Sequence, residues 1–282
     1  MSKKFEYMGV FFECCIFEKY GLGNYNETFK YLNELGFNTI ILVDSYFEGY
    51  GKNGKYIMWK SQKSLTEGIP TAKKYFDLIM VHIGSGLYFY PQYFTDIGVK
   101  LSHHFYKHQS PIHEKGLIYY YDEPVIDAED FSNIVKYMKD RNHKVSVTFG
   151  GSNYSYMKEV LDTGVEIDYH IIDVYPVLLR SSDAETERKI LEMESEIKWV
   201  RKLLSKKKMF FLMQMWAAPN SARYPSIEQT KKMLDICLDN NVDGVIFFLW
   251  NSGWTGMESL SGMDILPYEY HKLASIYAPK KP

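Results

Sequence analysis

Cysteine is scarce in this chain. Three occur in 282 residues: Cys14, Cys15 and Cys237. Sequence neighbours rarely pair with each other, and so sparse and odd a count excludes a disulfide framework. It points to a reducing compartment, and a cytoplasmic location is expected. A basic excess is also missing. Lys and Arg total 33 against 35 Asp and Glu, for a net charge of −2. No cationic surface for nucleic acid is implied, and there is no acidic tail. Long apolar runs are absent too. None approaches the roughly 18 residues of a membrane span, so no membrane partner is expected. The opening "MSKKFEYMGVFFECC" is interrupted by Glu6 and Glu13 and lacks a signal-peptide core. No Pro/Gly/Ser-rich linker divides the chain, so residues 1–282 read as one domain. A Gly-rich phosphate turn is lacking as well. "GLGN" at 21–24 fits the dinucleotide fingerprint poorly, which argues against a doubly wound open sheet.

What the chain has is aromatic residues and rhythm. There are 24 Tyr, 17 Phe and 5 Trp. Such rings fill cores and also line clefts for sugars and other small molecules. Eight apolar runs of strand length recur, at 5–13, 37–45, 77–84, 116–123, 144–151, 167–176, 208–216 and 242–251. Most are nearly continuously apolar, as parallel strands covered on both faces must be. Helix signals lie between them. Asn24 with Glu27, Ser64 with Glu67, Ser182 with Glu185 and Ser226 with Gln229 stand at capping-box spacing. Gly36 and Gly164 fall where C-terminal caps belong, and Pro267 suits a first helical turn. Residues 183–204 carry Ile190, Met193, Ile197, Val200 and Leu204 as one apolar stripe. Residues 85–115, rich in Gly, Pro, His and Tyr, read as a short or irregular helix plus a long loop. Eight βα units in this length predict a single (β/α)8 TIM barrel with an irregular third βα unit.

In such a barrel chemistry gathers at the C-terminal ends of the strands. The runs end on Glu13, Asp44, His82, Asp122 with Glu123, Thr148, Asp173 with Tyr175, Gln214 with Trp216, and Trp250 with Asn251. The acids converge on one rim. A carboxyl shielded there by aromatic rings and close to other acids keeps its proton to higher pH.

These motifs carry a resemblance. "YYYDEP" resembles the fourth-strand end of the (β/α)8 glycoside hydrolase superfamily, and "IIDVYP" is similar to the sixth-strand Asp-x-Tyr-Pro of some of its branches. "QMWAAPNSARYPSIEQT" with "VDGVIFFLWNSG" looks like the seventh and eighth units of such enzymes. The likeness implies cofactor-free hydrolysis of an oligo- or polysaccharide, with Glu123 as proton donor. Glycoside cleavage also needs an ionised carboxylate. Asp173 is the first candidate, followed by Asp44 and Glu13. Tyr175, Trp216, Trp250 and Trp254 are candidate sugar-stacking rings. Asp122 completes the acidic pair, and Gln214 and Asn251 are candidates to bind hydroxyls. One departure from the pattern stands out. The retaining enzymes of this group place a nucleophilic glutamate at the end of the seventh strand, where this chain has Gln214.

That departure keeps a second reading open, a non-catalytic carbohydrate-binding barrel. A third comes from "HHFYKHQSPIH", with His103, His104, His108 and His113, and His82 upstream. His104 and His108 at i, i+4 share one helical face, which would suit a zinc-dependent carbohydrate hydrolase or deacetylase.

Overall fold

All eight apolar runs become strands of one closed barrel. The computed structural model describes residues 4–43, 45–50, 56–60, 63–82, 117–124, 126–150, 154–217, 221–251 and 267–279. The strands in chain order are β1 (Tyr7–Glu13), β2 (Thr39–Val43), β3 (Ser45–Tyr50), β4 (Tyr56–Lys60), β5 (Leu78–His82), β6 (Leu117–Asp122), β7 (Lys144–Gly150), β8 (Tyr169–Asp173), β9 (Lys208–Gln214) and β10 (Gly244–Asn251). All but β3 and β4 pair in parallel around the ring β1-β10-β9-β8-β7-β6-β5-β2. The first strand therefore closes on the last, with Tyr7 opposite Gly244. The parallel (β/α)8 architecture stands as expected. Its third unit, which was to be irregular, lies at 83–116 and so outside the described residues.

The described helices are α1 (Cys14–Lys19), α2 (Tyr25–Glu34), α3 (Ile69–Tyr75), α4 (Ala128–Lys139), α5 (Tyr154–Asp162), α6 (Asp183–Leu204), α7 (Ile227–Asp239) and α8 (Pro267–Tyr277). Three of the capping pairs act as the spacing predicts. Asn24 accepts from Glu27 N, Ser182 from Glu185 N, and Ser226 with Gln229 forms a full reciprocal box. The fourth does not. Ser64 opens a π-helical turn (Ser64–Gly68), and Glu67 N donates to the carbonyl of Lys63. Gly36 and Gly164 both adopt positive φ after their helices.

Two apolar layers follow from strand alternation. Side chains such as Phe11, Ile41, Met80, Tyr120, Ile171, Leu212 and Ile246 fill the barrel interior. Alternate residues, among them Val10, Phe12, Leu42, Tyr121, Phe211 and Phe247, pack outward under the helices. Each such buried side chain contributes about 1.5–3 kcal/mol. The α6 stripe Ile190, Met193, Ile197, Val200 and Leu204 is wholly buried.

One element was not foreseen. β3 and β4 form an antiparallel hairpin inserted directly after β2. Its signal is present in "SYFEGYGKNGKYIMWK", two aromatic runs around an Asn-Gly. Among the described residues no helix is long and apolar enough to cross a membrane.

Candidate active site

The interior alternation fixes which strand-end residues look into the barrel. Counting in twos from Phe11, Met80, Tyr120, Ile171 and Leu212 reaches Glu13, His82, Asp122, Asp173 and Gln214. All five stand at the C-terminal ends of their strands. Glu13, His82, Asp173 and Gln214 are buried, and Asp122 is half-buried.

By the same count Glu123 should point outward, like Tyr121 before it, which packs against Phe131 of α4. It does not. Glu123 has φ +37°, a left-handed conformation rare for a side chain of its kind. Its backbone N still donates to Thr148 O at 3.2 Å, so the ladder to β7 continues. The twist turns the glutamate over the rim. Two consecutive carboxylates thereby serve one opening, at the cost of local backbone strain, a combination common at functional sites.

Glu123 then meets Asp173. The two strand ends are separated by β7, so their backbones are about 10 Å apart. The carboxyl groups nevertheless come together over Gly150, where a Cβ would overlap Glu123 Oε1 and lie 3.4 Å from Asp173 Oδ1, and each acid shifts the other's pKa. Asp173 Oδ1 has no N–H or O–H donor. Two carboxyl groups in contact can bond only by holding a proton between them. Burial raises the pKa of Asp173 well above the usual carboxylate range, helped by the charges of Glu123 and Asp122. The neighbouring Tyr175 hydroxyl opposes that rise. Burial also raises Glu123, and the Asp122 charge adds to it, while the hydrogen bond from Asp173 pulls it back down. Both acids are thus held toward their protonated forms, and Asp173 is the more deeply buried of the two.

Around the pair lies a supporting network. The Tyr120 hydroxyl donates to Asp122 Oδ1 at 2.6 Å and lies 2.7 Å from Thr148 Oγ1. Burial raises the Tyr120 pKa well above the usual phenol value, and Asp122 raises it further. The His82 ring lies tilted against the Tyr120 ring, 5.5 Å between centroids. Burial lowers its pKa, with Asp122 opposing, so the imidazole is kept toward its neutral form. Tyr175 stands edge-on to Trp216 at 5.5 Å and is stacked on Phe248 at 6.0 Å. These three rings form an aromatic wall beside the acids.

Other expected site residues lie elsewhere. Gln214 is fully buried, and its amide is committed to the scaffold. It accepts from Val177 N at 3.0 Å and donates to Val177 O at 2.8 Å and Arg223 O at 3.2 Å. All three of these bonds tie the Gln214 amide to the backbone of Val177 and Arg223. Trp250 is buried in the outer layer, 6.3 Å from the Tyr31 ring of α2, and so faces the helices and not the opening. Asn251 ends β10 beside Phe12, and its side chain lies outside the described residues. So do Asp44, Trp254, His103, His104, His108 and His113. Among the described residues no group of His, Cys, Asp and Glu is arranged to hold a metal ion.

Sequence reasoning missed Gly150 and Tyr120 as parts of this site, and it named Thr148 only as a strand end. The register places Gly150 opposite Asp173 and Thr148 opposite Asp122.

No protein-family model matches the chain, and no curated protein does. Solved structures do. An endo-beta-1,4-mannanase from Thermotoga petrophila superposes with a TM-score of 0.65 at 12% identity, over 98% of this chain and 77% of that one. A family 1 β-glucosidase from Thermotoga maritima gives 0.60 at 11%, over 99% and 100%. The catalytic domain of a hyperthermophilic chitinase from Pyrococcus furiosus gives 0.53 at 12%, over 88% and 86%. At these identities the likeness shows a shared barrel.

Proposed function

We propose that the chain is a glycoside hydrolase acting on an oligo- or polysaccharide, with Glu123 delivering the proton and Asp173 storing it. The observation that carries this reading is the approach of the Glu123 and Asp173 carboxyl groups over Gly150 at the C-terminal rim of the barrel. The solved barrels it resembles bear glycosidase names, which agrees with a carbohydrate substrate. The Tyr175–Trp216 wall suits the apolar face of a sugar ring. No step calls for a cofactor.

In this scheme the shared proton passes from Glu123 to the glycosidic oxygen as the anomeric carbon–oxygen bond breaks. The leaving sugar departs as a neutral alcohol. The pair is left with one more negative charge, close to the cationic sugar it must stabilise. Water then adds at the anomeric carbon and its proton returns to the pair, which restores the starting state. Carboxyl groups that flank a sugar from opposite sides stand about 5–5.5 Å apart in retaining enzymes and about 6.5–9.5 Å in inverting ones. Here the two carboxyl groups meet on one side of the opening, over Gly150, so in this scheme Asp173 acts through Glu123 and not from the opposite face. Glu13 and Asp122 are the other described rim acids, and Asp44 belongs to the same set by sequence. All three cysteines are buried, and their small number supports a reducing, cytoplasmic setting in this reading.

The test is turnover of a defined glycan panel by wild type and Glu123→Gln. The variant keeps shape but loses the proton, and kcat should fall about 10²–10⁴-fold. Undiminished turnover would remove the assignment. A second reading, a non-catalytic carbohydrate-binding barrel, is favoured by Gln214, whose amide is spent on the scaffold where related retaining enzymes need a glutamate. Glycan binding by wild type with no turnover of any bound glycan would select it.

A further inference from the structure

The Glu123–Asp173 contact has a geometric problem to solve. The two acids sit on β6 and β8, and β7 lies between them. Residue 150 ends β7 and shares the inward count of Ser146 and Thr148. It is the direct register partner of Asp173. Any side chain there would project into the space where the carboxyl groups meet. Residue 150 is glycine. A Cβ built on it would overlap Glu123 Oε1, lie 3.1 Å from Glu123 Cδ and 3.4 Å from Asp173 Oδ1. The missing methyl is therefore the space that the Glu123 carboxyl occupies. Gly150 has no positive φ, so the backbone does not demand glycine there. The demand comes from the acid above it.

We infer that Gly150 is the positioning residue of the acid pair: its bare α-carbon is the notch through which Glu123 reaches across β7 to share a proton with Asp173. The positive φ of Glu123 turns the side chain toward the notch, and the notch admits it. Neither feature alone brings the carboxyl groups together. The inference deepens the hydrolytic reading and rests on it only where activity is measured.

The experiment is Gly150→Ala in the full chain, read in three ways. In a ¹³C carboxyl titration by NMR, the Asp173 midpoint should fall yet stay above the ordinary carboxylate range, because a displaced Glu123 no longer charges it while its burial remains. In thermal unfolding, the alanine should lower Tm in the wild-type background but leave it nearly unchanged in Glu123→Ala, where nothing fills the notch. Should Gly150→Ala fail to fold alone while the double variant folds, the same conclusion follows. In kinetics, kcat should fall at least about tenfold with KM within about twofold, and the alkaline limb of the pH profile should move to lower pH. An unchanged Asp173 midpoint would overturn the inference. So would an equal loss of Tm in both backgrounds, since the glycine would then serve strand packing alone. Full activity of Glu123→Gln would remove the hydrolytic reading by itself, and the titration and stability arms would still decide on Gly150.

Discussion

Asp173 and Asp122 act on the pair in different ways, and pH separates them. The folded chain keeps a proton on Asp173 that an unfolded chain releases near the ordinary carboxylate pKa of about 3.9. Between that value and the raised folded one, the native state binds more protons, so stability falls as pH rises. Asn at this position has no such proton to lose. Asp173→Asn should therefore raise Tm at neutral pH, by about 2–4 °C for each kcal/mol recovered, with the gain vanishing near pH 4. Turnover should drop in the same variant, the usual exchange of stability for function at an active site. A variant less stable than wild type at pH 7 would show that Asp173 is not a desolvated, proton-holding acid. Asp122 acts from outside the pair, since its charge raises Glu123. Asp122→Asn should thus move the alkaline limb of the kcat profile to lower pH, whereas a static limb would exclude that coupling. Asp-Glu-Pro was legible in the sequence because two acids ended an apolar run. Gly150 was not, since "TFGG" reads as any strand exit until the barrel closes and shows what stands above it.

Strands and helices were legible to the degree that local chemistry alone decided them. Parallel strands buried on both faces must be apolar throughout, and the eight runs named every barrel strand. Ser226 and Gln229 found each other because a capping box is closed within four residues. Ser64 and Glu67 had the same spacing, yet the chain there forms a π turn, a tertiary choice no local pair reports. The hairpin β3–β4 hid inside a βα unit for the same reason. Gln214 is the case where an element overrides a motif. Its amide ties the segment after β8 to the segment after β9, in line with the antiparallel bridge between Leu178 and Ala222. Tyr175, whose hydroxyl opposes the rise of the Asp173 pKa, rides on that segment. Gln214→Ala leaves Val177 and Arg223 backbone groups without their partner and should cost about 1–3 kcal/mol. Gln214→Glu introduces the residue type that the resemblance to retaining enzymes would place here, but it should not bring their chemistry with it. The new carboxylate would face the carbonyls of Val177 and Arg223 in a fully buried site, an uncompensated charge worth about 3–5 kcal/mol of destabilisation. Urea midpoints of the two variants check the order, Glu below Ala, and a stable, more active Gln214→Glu would contradict this role for the amide.

At the scale of the whole barrel, the two ends divide the work. Acids gather at the C-terminal rim, and the N-terminal face carries a stabilising network where the ring closes. Asp243, just before β10, is its centre. Its carboxylate accepts from Met209 N at 2.9 Å and pairs with Lys208 at 3.2 Å and Arg201 at 3.3 Å. Its backbone carbonyl accepts from Glu6 N and Tyr7 N. Lys208 also pairs with Glu6, and Arg201 donates to Asn241 O at 3.1 Å. The starts of β1, β9 and β10 and the end of α6 are thus bound at one point. None of this was legible in the sequence, because residues 6, 201, 208 and 243 meet only after closure. The network's parts are unequal. The Asp243 side chain is 22% exposed and holds a backbone N–H, so Asp243→Ala should cost about 1–3 kcal/mol. Lys208 is 37% exposed, and solvent screens its pairs, so Lys208→Ala should cost under about 1 kcal/mol. Added salt should shrink the lysine loss and leave most of the aspartate loss in place, because the bond to Met209 N is not an ion pair. The six steps of β9 from Lys208 to Gln214 span about 20 Å, so neither variant should change kcat or the pH profile. Thermal unfolding at low and high salt, beside turnover at 25 °C, checks both halves. A kcat loss in Asp243→Ala with Tm unchanged would mean that closure of the ring reaches the acids at the other rim, and that the division between stabilising and reactive ends does not hold for this barrel.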